Sequence, residues 1–445
     1  MTEPLLLAEV VLKLESPAAV AAPEQHDGLY ATVREVARDG WSDSGAPWVP
    51  PSSLAGSFRT HLRAAAGEET ERLVMGYEEE RSTQGRPSSV RFLGTHLREP
   101  AVAPRTRTAV DPYRAAAATG LLHTHELLQP GCLITCWIQV DAPEHHRTVL
   151  DHLATWNPVI GGGRSTGHGT TTTVSLRSAV LDLSTQEGRR LWLTHGGPAL
   201  FEAAGLEPID LEQAKTGPKA GTATVLPALT WCVVDALHIG NGTRAAAAPT
   251  ADGAAGPQVA LLLRDHDGTP YVPGTAWKGL LRHRTAYILR STGHEACPGT
   301  ADTCGTCSVC ETFGWTGEDG QGARGLLRLP DTPLQGATVV QRQHVALDRF
   351  TGGAAEGLLY SEEVAESGTL TLTIGSDRDP GTLPAPAVAA LTLALRDLHD
   401  GLIGIGKGVT RGQGTLRCTQ PEVLDGLVPE ARATLTRSIP AGATA

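Results

Sequence analysis

The chain has 445 residues, 40% hydrophobic and 19% charged, and a net charge of −11. That length exceeds one ordinary core and sets an expectation of two domains of about 150–220 residues. The negative balance excludes a protein that coats nucleic acid with its whole surface, though it leaves room for a local basic groove. No apolar run approaches the ~18–20 residues that span a bilayer. Four of the eight cysteines crowd into residues 297–310, unlike a secreted disulfide framework, so the expectation is a cytoplasmic protein with reduced thiols.

In chain order, LLLAEVVLKL (5–14) alternates as a strand with one buried face does. After a variable loop, WVPPSSLAGSFRTH (48–61) opens a helix: Pro50 fixes the turn, Ser52 is placed to cap, and Leu54, Phe58 and Leu62 share one face. Arg59 and Arg63 flank that face. VDPYRAAAATGLLHTHEL (110–127) reads as a small-residue hairpin, followed by the strand CLITCWIQV, the helix-like HHRTVLDHLATW (145–156) and the glycine-rich VIGGGRSTGHGTTTTV (159–174). LEPIDLEQAKTGPKAGT (206–222) has the composition of a linker.

The same order then recurs. ATVLPALTWCVVDAL (223–237) is the strand, and YVPGTAWKGLLRHR (271–284) is the helix. There Pro273 and Thr275 stand at the start, Trp277, Leu281 and Tyr287 form the apolar spacing, and Lys278, Arg282 and Arg284 are the basic residues. LDRFTGGAAEGLLYSEEV (347–364) is the hairpin, followed by TLTLTI, the helical AVAALTLALRDLHD (387–400) and LIGIGKGVTRGQGTLRC (402–418). The chain is thus a tandem duplication, expected as a domain over 1–205, a linker over 206–222 and a second domain over 223–445.

Three groups of residues carry candidate chemistry. In GIGKGVTRGQG the glycines let backbone amides approach a phosphate, while Lys407 and Arg411 supply charge; Arg164 and His168 stand in comparable places in the first loop. A plain structural turn is the competing reading. Cys297, Cys304, Cys307 and Cys310 have the spacing of four ligands around one structural zinc ion, with His294 as a substitute for Cys297, and an iron–sulfur cluster or unligated thiols as rivals. Only the second half has such a cluster. The hairpin tips, Asp348, Arg349 and Phe350 with the counterparts Asp111, Pro112 and Tyr113, are either turn residues or a wedge between bases.

These landmarks together, and above all LHIGNG (237–242), RDHDGTPYVPGTAWKGLLR (264–282), CETFG (310–314), ARGLLRL (323–329) and GIGKGVTRGQG (404–414), resemble the RAMP superfamily, specifically the backbone subunits of type III CRISPR effector complexes. The resemblance covers nearly the whole chain, more closely in the second half. It implies an α+β fold of two tandem ferredoxin-like, RNA-recognition-motif-like domains with hairpin thumbs and glycine-rich loops. It further implies a ribonucleoprotein role in antiviral defence, with a CRISPR guide RNA, complementary target RNA and other effector subunits as partners, and no membrane. By the same resemblance Arg59, Lys278 and Arg282 either contact guide RNA or form a merely solvated face, the loop residues Arg164, His168, Lys407 and Arg411 contact its backbone, and His238 lies beside RNA or is satisfied by the backbone.

Active relatives carry an Asp six residues before the Asp of a basic–Asp pair. Here those pairs are Arg38-Asp39 and Arg264-Asp265, and the count falls on Val33 and Val259, which implies a chain that mainly binds. Asp27 and Asp252 are the alternative acids, which would work with a divalent metal such as Mg2+. Two other functions compete: a standalone RAMP endoribonuclease processing guide-RNA precursors, and a zinc-dependent hydrolase, which four thiolates would disfavour by closing the metal.

Overall fold

The computed structural model describes residues 3–21, 33–39, 45–78, 85–111, 116–214, 223–246, 258–297, 303–317, 321–376 and 378–437. Asp27, Pro112, Tyr113 and Asp252 lie outside them. The chain forms two compact units, one of Met1–Arg105, His123–Arg164 and His168–Gly221, the other of Thr106–Leu122, Ser165–Gly167 and Thr222–Ala445. Among the described residues no helix is long and apolar enough to cross a membrane.

The N-terminal sheet runs Glu207–Pro208, Thr171–Leu181, Leu5–Leu14, Leu133–Val140, Val90–Arg98, with every neighbouring pair antiparallel. Leaving aside the two-residue edge, the strand order is fourth, first, third, second, and helices Pro51–Met75 and His146–Ala154 make the two crossovers of a βαββαβ unit. Alternation explains why these strands pair in this register. Leu6, Ala8, Val10 and Leu12 are buried on one face, and they meet Leu54, Phe58, Leu62, Ile138, Val149 and Trp156 in a single core.

The second unit repeats the plan. Ala223–Val233 is central between Leu416–Cys418 and the long strand Ala354–Ser376, both antiparallel to it. Helices Gly274–Ser291 and Ala385–His399 pack Trp277, Leu281, Leu391 and Leu395 onto Leu229 and Trp231. The two halves are therefore tandem ferredoxin-like domains of the α+β class.

The duplication extends to individual hydrogen bonds. Ala18 bridges Leu128 in one unit and Leu237 bridges Ala365 in the other. Val33 pairs in parallel with Thr124, as Val259 does with Ser361. Glu126 accepts from the Val36 amide (3.1 Å) and from Arg38 (3.3 Å). Glu363 accepts in the same way from the Leu262 amide (3.0 Å) and Arg264 (3.2 Å). A carboxylate thus closes the same strand end twice.

Three local expectations are corrected. Ser52 and Thr275 are not caps: the helices begin at Pro51 and Gly274, so both hydroxyls fall inside the first turn. In the second unit the Asp331 carboxylate takes the orphan Gly274 amide instead, at 2.8 Å. Tyr287 is exposed, because the core face continues through Thr285, Ile288 and Leu289, while Tyr287 packs its ring under Arg284. Finally, the segment read as a linker starts inside the first unit: Leu206 is buried, and Glu207 and Pro208 pair with Ser178 and Arg177.

Candidate nucleic-acid interface and metal centre

Both glycine-rich loops are built on one set of backbone bonds. Ile405 donates to the Gly414 carbonyl, Lys407 to His238 and Gly414 to Ala236; Ile160 donates to Gly169, Gly162 to Ala19 and Gly169 to Pro17. Gly414 and Gly169 have φ of 78° and 76°, and a Cβ on either would collide with the carbonyl oxygen of Ile405 or Ile160. This register pairs Lys407 with Gly162, Arg411 with Thr166 and Gln413 with His168. Arg164 and His168 are therefore not the counterparts of Lys407 and Arg411, since glycine positions, not charges, set the alignment.

His168 is 1% exposed, and Arg105 donates to its Nε2 at 2.9 Å, so it braces the loop from behind. Arg411 is exposed at the loop surface and Arg164 is half-buried.

Behind the second loop lies a carboxylate that the sequence reading passed over. Glu362 is completely buried; Lys407 Nζ reaches its Oε2 at 2.8 Å, Gln413 donates to its Oε1 at 2.9 Å, and His344 Nε2 lies 3.1 Å away. Burial alone would raise this carboxyl, but the hydrogen bonds from Lys407 and Gln413 and the charge of Lys407 outweigh it and hold it at about 2. Its signal was the strand alternation that places Glu362 on the same face as buried Val364. His238 is also buried and donates from Nδ1 to the Glu363 carbonyl at 2.6 Å; burial is the first cause of its lowered pKa. The backbone-satisfied reading of His238 is the one its geometry matches.

The basic residues of the two helices differ in their partners. Arg59 and Arg63 both grip the buried Glu71, at 2.6 and 2.8 Å, across a break in the helix at Gly67. Arg59 also donates to the carbonyls of Met75 and Gly76. Arg284 is paired with Asp397 at 2.6 Å. Lys278 donates to Ser165 Oγ at 3.0 Å, and burial, then Arg282 and Arg324, push its pKa down to about 8. Arg282 donates from Nη1 to the Gly314 carbonyl at 2.6 Å, while its Nε and Nη2 are buried with no acceptor. Such a group of cations is preorganised for an anion.

Strand Ala354–Ser376 pairs with Gln335–Leu347 in a long hairpin. At its turn Asp348 Oδ1 accepts from the amides of Phe350 and Thr351, which locks the tip. Phe350 is 84% exposed, with the Arg349 guanidinium 4.9 Å from its ring centre, and Leu347 and Leu359 are exposed beside it. In the first half Asp111 ends the corresponding strand Val102–Asp111 and is half-buried.

Cys297, Cys304, Cys307 and Cys310 bring four sulfur atoms within 4.8 Å of one another. Cys297 lies 3.7 Å from Cys310 and 3.8 Å from Cys307, and the amides of Cys304 and Cys307 donate to Cys297 and Cys304 sulfur. Thr306 hydrogen bonds hold the Cys304 thiol down to about 5, toward the thiolate a metal needs, while burial pushes Cys297 up to about 12 and raises Cys310. His294 is engaged with Thr292 at 3.1 Å and stands outside the group, which Cys297 completes. The set can hold one tetrahedral thiophilic ion.

Val259 is 6% exposed, and Val33 holds the equivalent position in the first unit.

No curated protein matches this sequence. Among solved structures, one similar chain comes from a cryo-EM structure of the Type III-B Cmr-beta bound to cognate target RNA, at 14% identity and a TM-score of 0.33. The match covers 39% of this chain and 60% of that one. The family model described as the RAMP superfamily matches residues 40–172 and 233–417, more than half of the sequence and once in each half. The chain belongs to the RAMP superfamily.

Proposed function

We propose that this chain is a guide-RNA-binding backbone subunit of a type III CRISPR ribonucleoprotein, whose two fused repeats help to hold the guide–target RNA duplex in antiviral defence. The observation that carries the reading is the pocket of Lys278 and Arg282. No carboxylate pairs with either among the described residues, and two guanidinium nitrogens point to no acceptor. A phosphodiester supplies the missing charge and lone pairs. Arg411 extends the basic surface at the glycine-rich loop, and the exposed Phe350 tip suits insertion between bases as a thumb. The other effector subunits and the complementary target are the remaining partners.

The four thiolates hold structural zinc in this reading. A zinc–sulfur bond of about 2.3 Å puts tetrahedral sulfurs about 3.8 Å apart, and Cys297 lies 3.7 Å from Cys310 and 3.8 Å from Cys307. The ion would tie the segment after helix Gly274–Ser291 to the short helix Ser308–Phe313, beside the pocket.

Purification with the neighbouring gene products, followed by sequencing of extracted RNA, tests the assignment. Discrete repeat-derived guides are the expected outcome. Random cellular RNA, or none, would sink it, and cleavage of a repeat RNA by the purified chain alone would favour the standalone processing enzyme.

A further inference from the structure

The two helices that open with the same motif can be compared atom by atom. Pro50 and Pro273 start them, so Arg59 and Arg282 hold the same position, nine residues on. Their surroundings agree as well. Arg59 Nη1 donates to the Gly76 carbonyl and Arg282 Nη1 to that of Gly314. Those glycines have matching backbone angles, φ 71° and ψ 170° against φ 88° and ψ 166°. A Cβ on Gly76 would collide with the Arg86 carbonyl, as one on Gly314 would meet that of Ala323. Two copies of one site are present, one in each unit.

Their chemistry has diverged. By this alignment Lys278 falls on Ala55 and Arg324 on Pro87, so two of three cations are missing from the first copy. Five residues before the shared glycine stands Glu71 in the first unit and the buried Val309 in the second. The Glu71 carboxylate, completely buried, takes Arg59 on one oxygen and Arg63 on the other. It sits where an anion would meet the first arginine.

We infer that the phosphate pocket survives in the C-terminal repeat alone, and that in the N-terminal repeat the Glu71 side chain occupies the corresponding place as a built-in anion. Each chain therefore grips RNA backbone at one such position, not two, and Arg59 is a structural residue. The inference rests on the RNA-binding reading for the identity of the ligand. The pocket itself is a statement about phosphate.

Two measurements on the full chain separate these. The first is the rise in melting temperature caused by inorganic phosphate, which follows the occupancy of the native site. It is expected in the wild type, lost in Lys278→Met/Arg282→Met, and retained in Arg59→Met/Glu71→Leu, a pair that removes both charges together so that no buried ion is left alone. The second is binding of a labelled single-stranded RNA of arbitrary sequence as salt is varied. Removing two phosphate contacts lowers the slope of log K against log salt by about 1.4. That loss is expected for the C-terminal double variant and not for the N-terminal one, whereas Glu71→Val, which copies Val309, steepens the slope by freeing two guanidinium groups.

A wild type indifferent to phosphate, or an N-terminal double variant that loses as much as the C-terminal one, overturns the inference. The same holds if Glu71→Val changes neither reading. If the phosphate pattern appears as expected while no variant alters RNA binding, the asymmetry stands and it is the RNA assignment that fails.

Discussion

Replacing Lys407 by Ala probes the ion pair beneath the second glycine-rich loop. Glu362 is held at about 2 against an ordinary 4.5, and one unit of pKa corresponds to about 1.4 kcal/mol, so its native partners contribute up to about 3 kcal/mol at neutral pH. The folded value is depressed. The contribution is therefore complete above about 4.5 and is lost as pH falls toward 2. Lys407 supplies the shortest of the contacts, and without it a buried carboxylate keeps only Gln413 and His344, so Lys407→Ala should cost roughly 2–3 kcal/mol at pH 7. With two units the chain need not unfold in one step. The appropriate assay is thus native-state hydrogen exchange of peptides spanning 402–418, where the Lys407, Gln413 and Gly414 amides are bonded. The cost should shrink between pH 4.5 and 2, because Glu362 without Lys407 takes up a proton. A Glu362→Gln/Lys407→Ala cycle should show a coupling of about 2 kcal/mol. A cost below about 0.5 kcal/mol at pH 7, or one independent of pH, would refute this account of the loop. The result also bears on RNA binding, since a Lys407→Ala/Arg411→Ala variant mixes lost contact with a loosened loop, and Arg411→Ala alone is the cleaner probe.

Elemental analysis of protein purified under reducing, chelator-free conditions should give one zinc per chain, and Cys307→Ser should abolish it and loosen the second unit; iron, or no metal, would defeat that assignment. Lys278 titrates near 8 in the folded protein against 10.5 unfolded, so the native state binds fewer protons between these values and stability should rise with pH across that window, by up to roughly 3 kcal/mol. Urea melts of the wild type and Lys278→Met from pH 7 to 10.5 check this, the variant lacking the rise; phosphate affinity of the wild type should fall above about pH 8. In the reconstituted complex with Mg2+, Asp27→Ala and Asp252→Ala should leave the target-RNA products unchanged, whereas loss of one discrete product with guide and target binding intact would make that acid catalytic. An unaltered product ladder would leave this chain a binding subunit only.

Much of the architecture was legible because it is local or repeated. Alternating strands, helical spacing after Pro50 and Pro273, and four cysteines within 297–310 each declare themselves within a short window. The pairing of charges does not. Glu71 lies 12 residues from Arg59, and Glu362 lies 45 from Lys407, and nothing in the spacing of either pair indicates that they meet. A sequence shows which side chains carry charge, whereas a fold decides which charges are already spent. The glycine loops make the same point in reverse, since aligning them by charge put Arg164 against Lys407, while backbone bonds put Gly162 there.

The valines at 33 and 259 show where counting along a chain reaches its end. The count from the basic–Asp pairs is sound as an alignment of the two halves, for Arg38 and Arg264 bond their glutamates alike and Val33 and Val259 hold equivalent register positions. It does not give the face of the strand. Successive side chains point to opposite faces, so a shift of one position exchanges a buried site for an open one. Val259 points inward at 6% exposure, and its neighbour Gln258 is exposed. An aspartate at 259 would be buried, and Val259→Asp should destabilise the unit, by about 3 kcal/mol or more if the charge stays unpaired, without creating a cut. Val259 is a packing residue of the second unit. The alternative acids, Asp27 six positions before Val33 and Asp252 seven before Val259, stand in the preceding segments, and the two Asp→Ala variants test them.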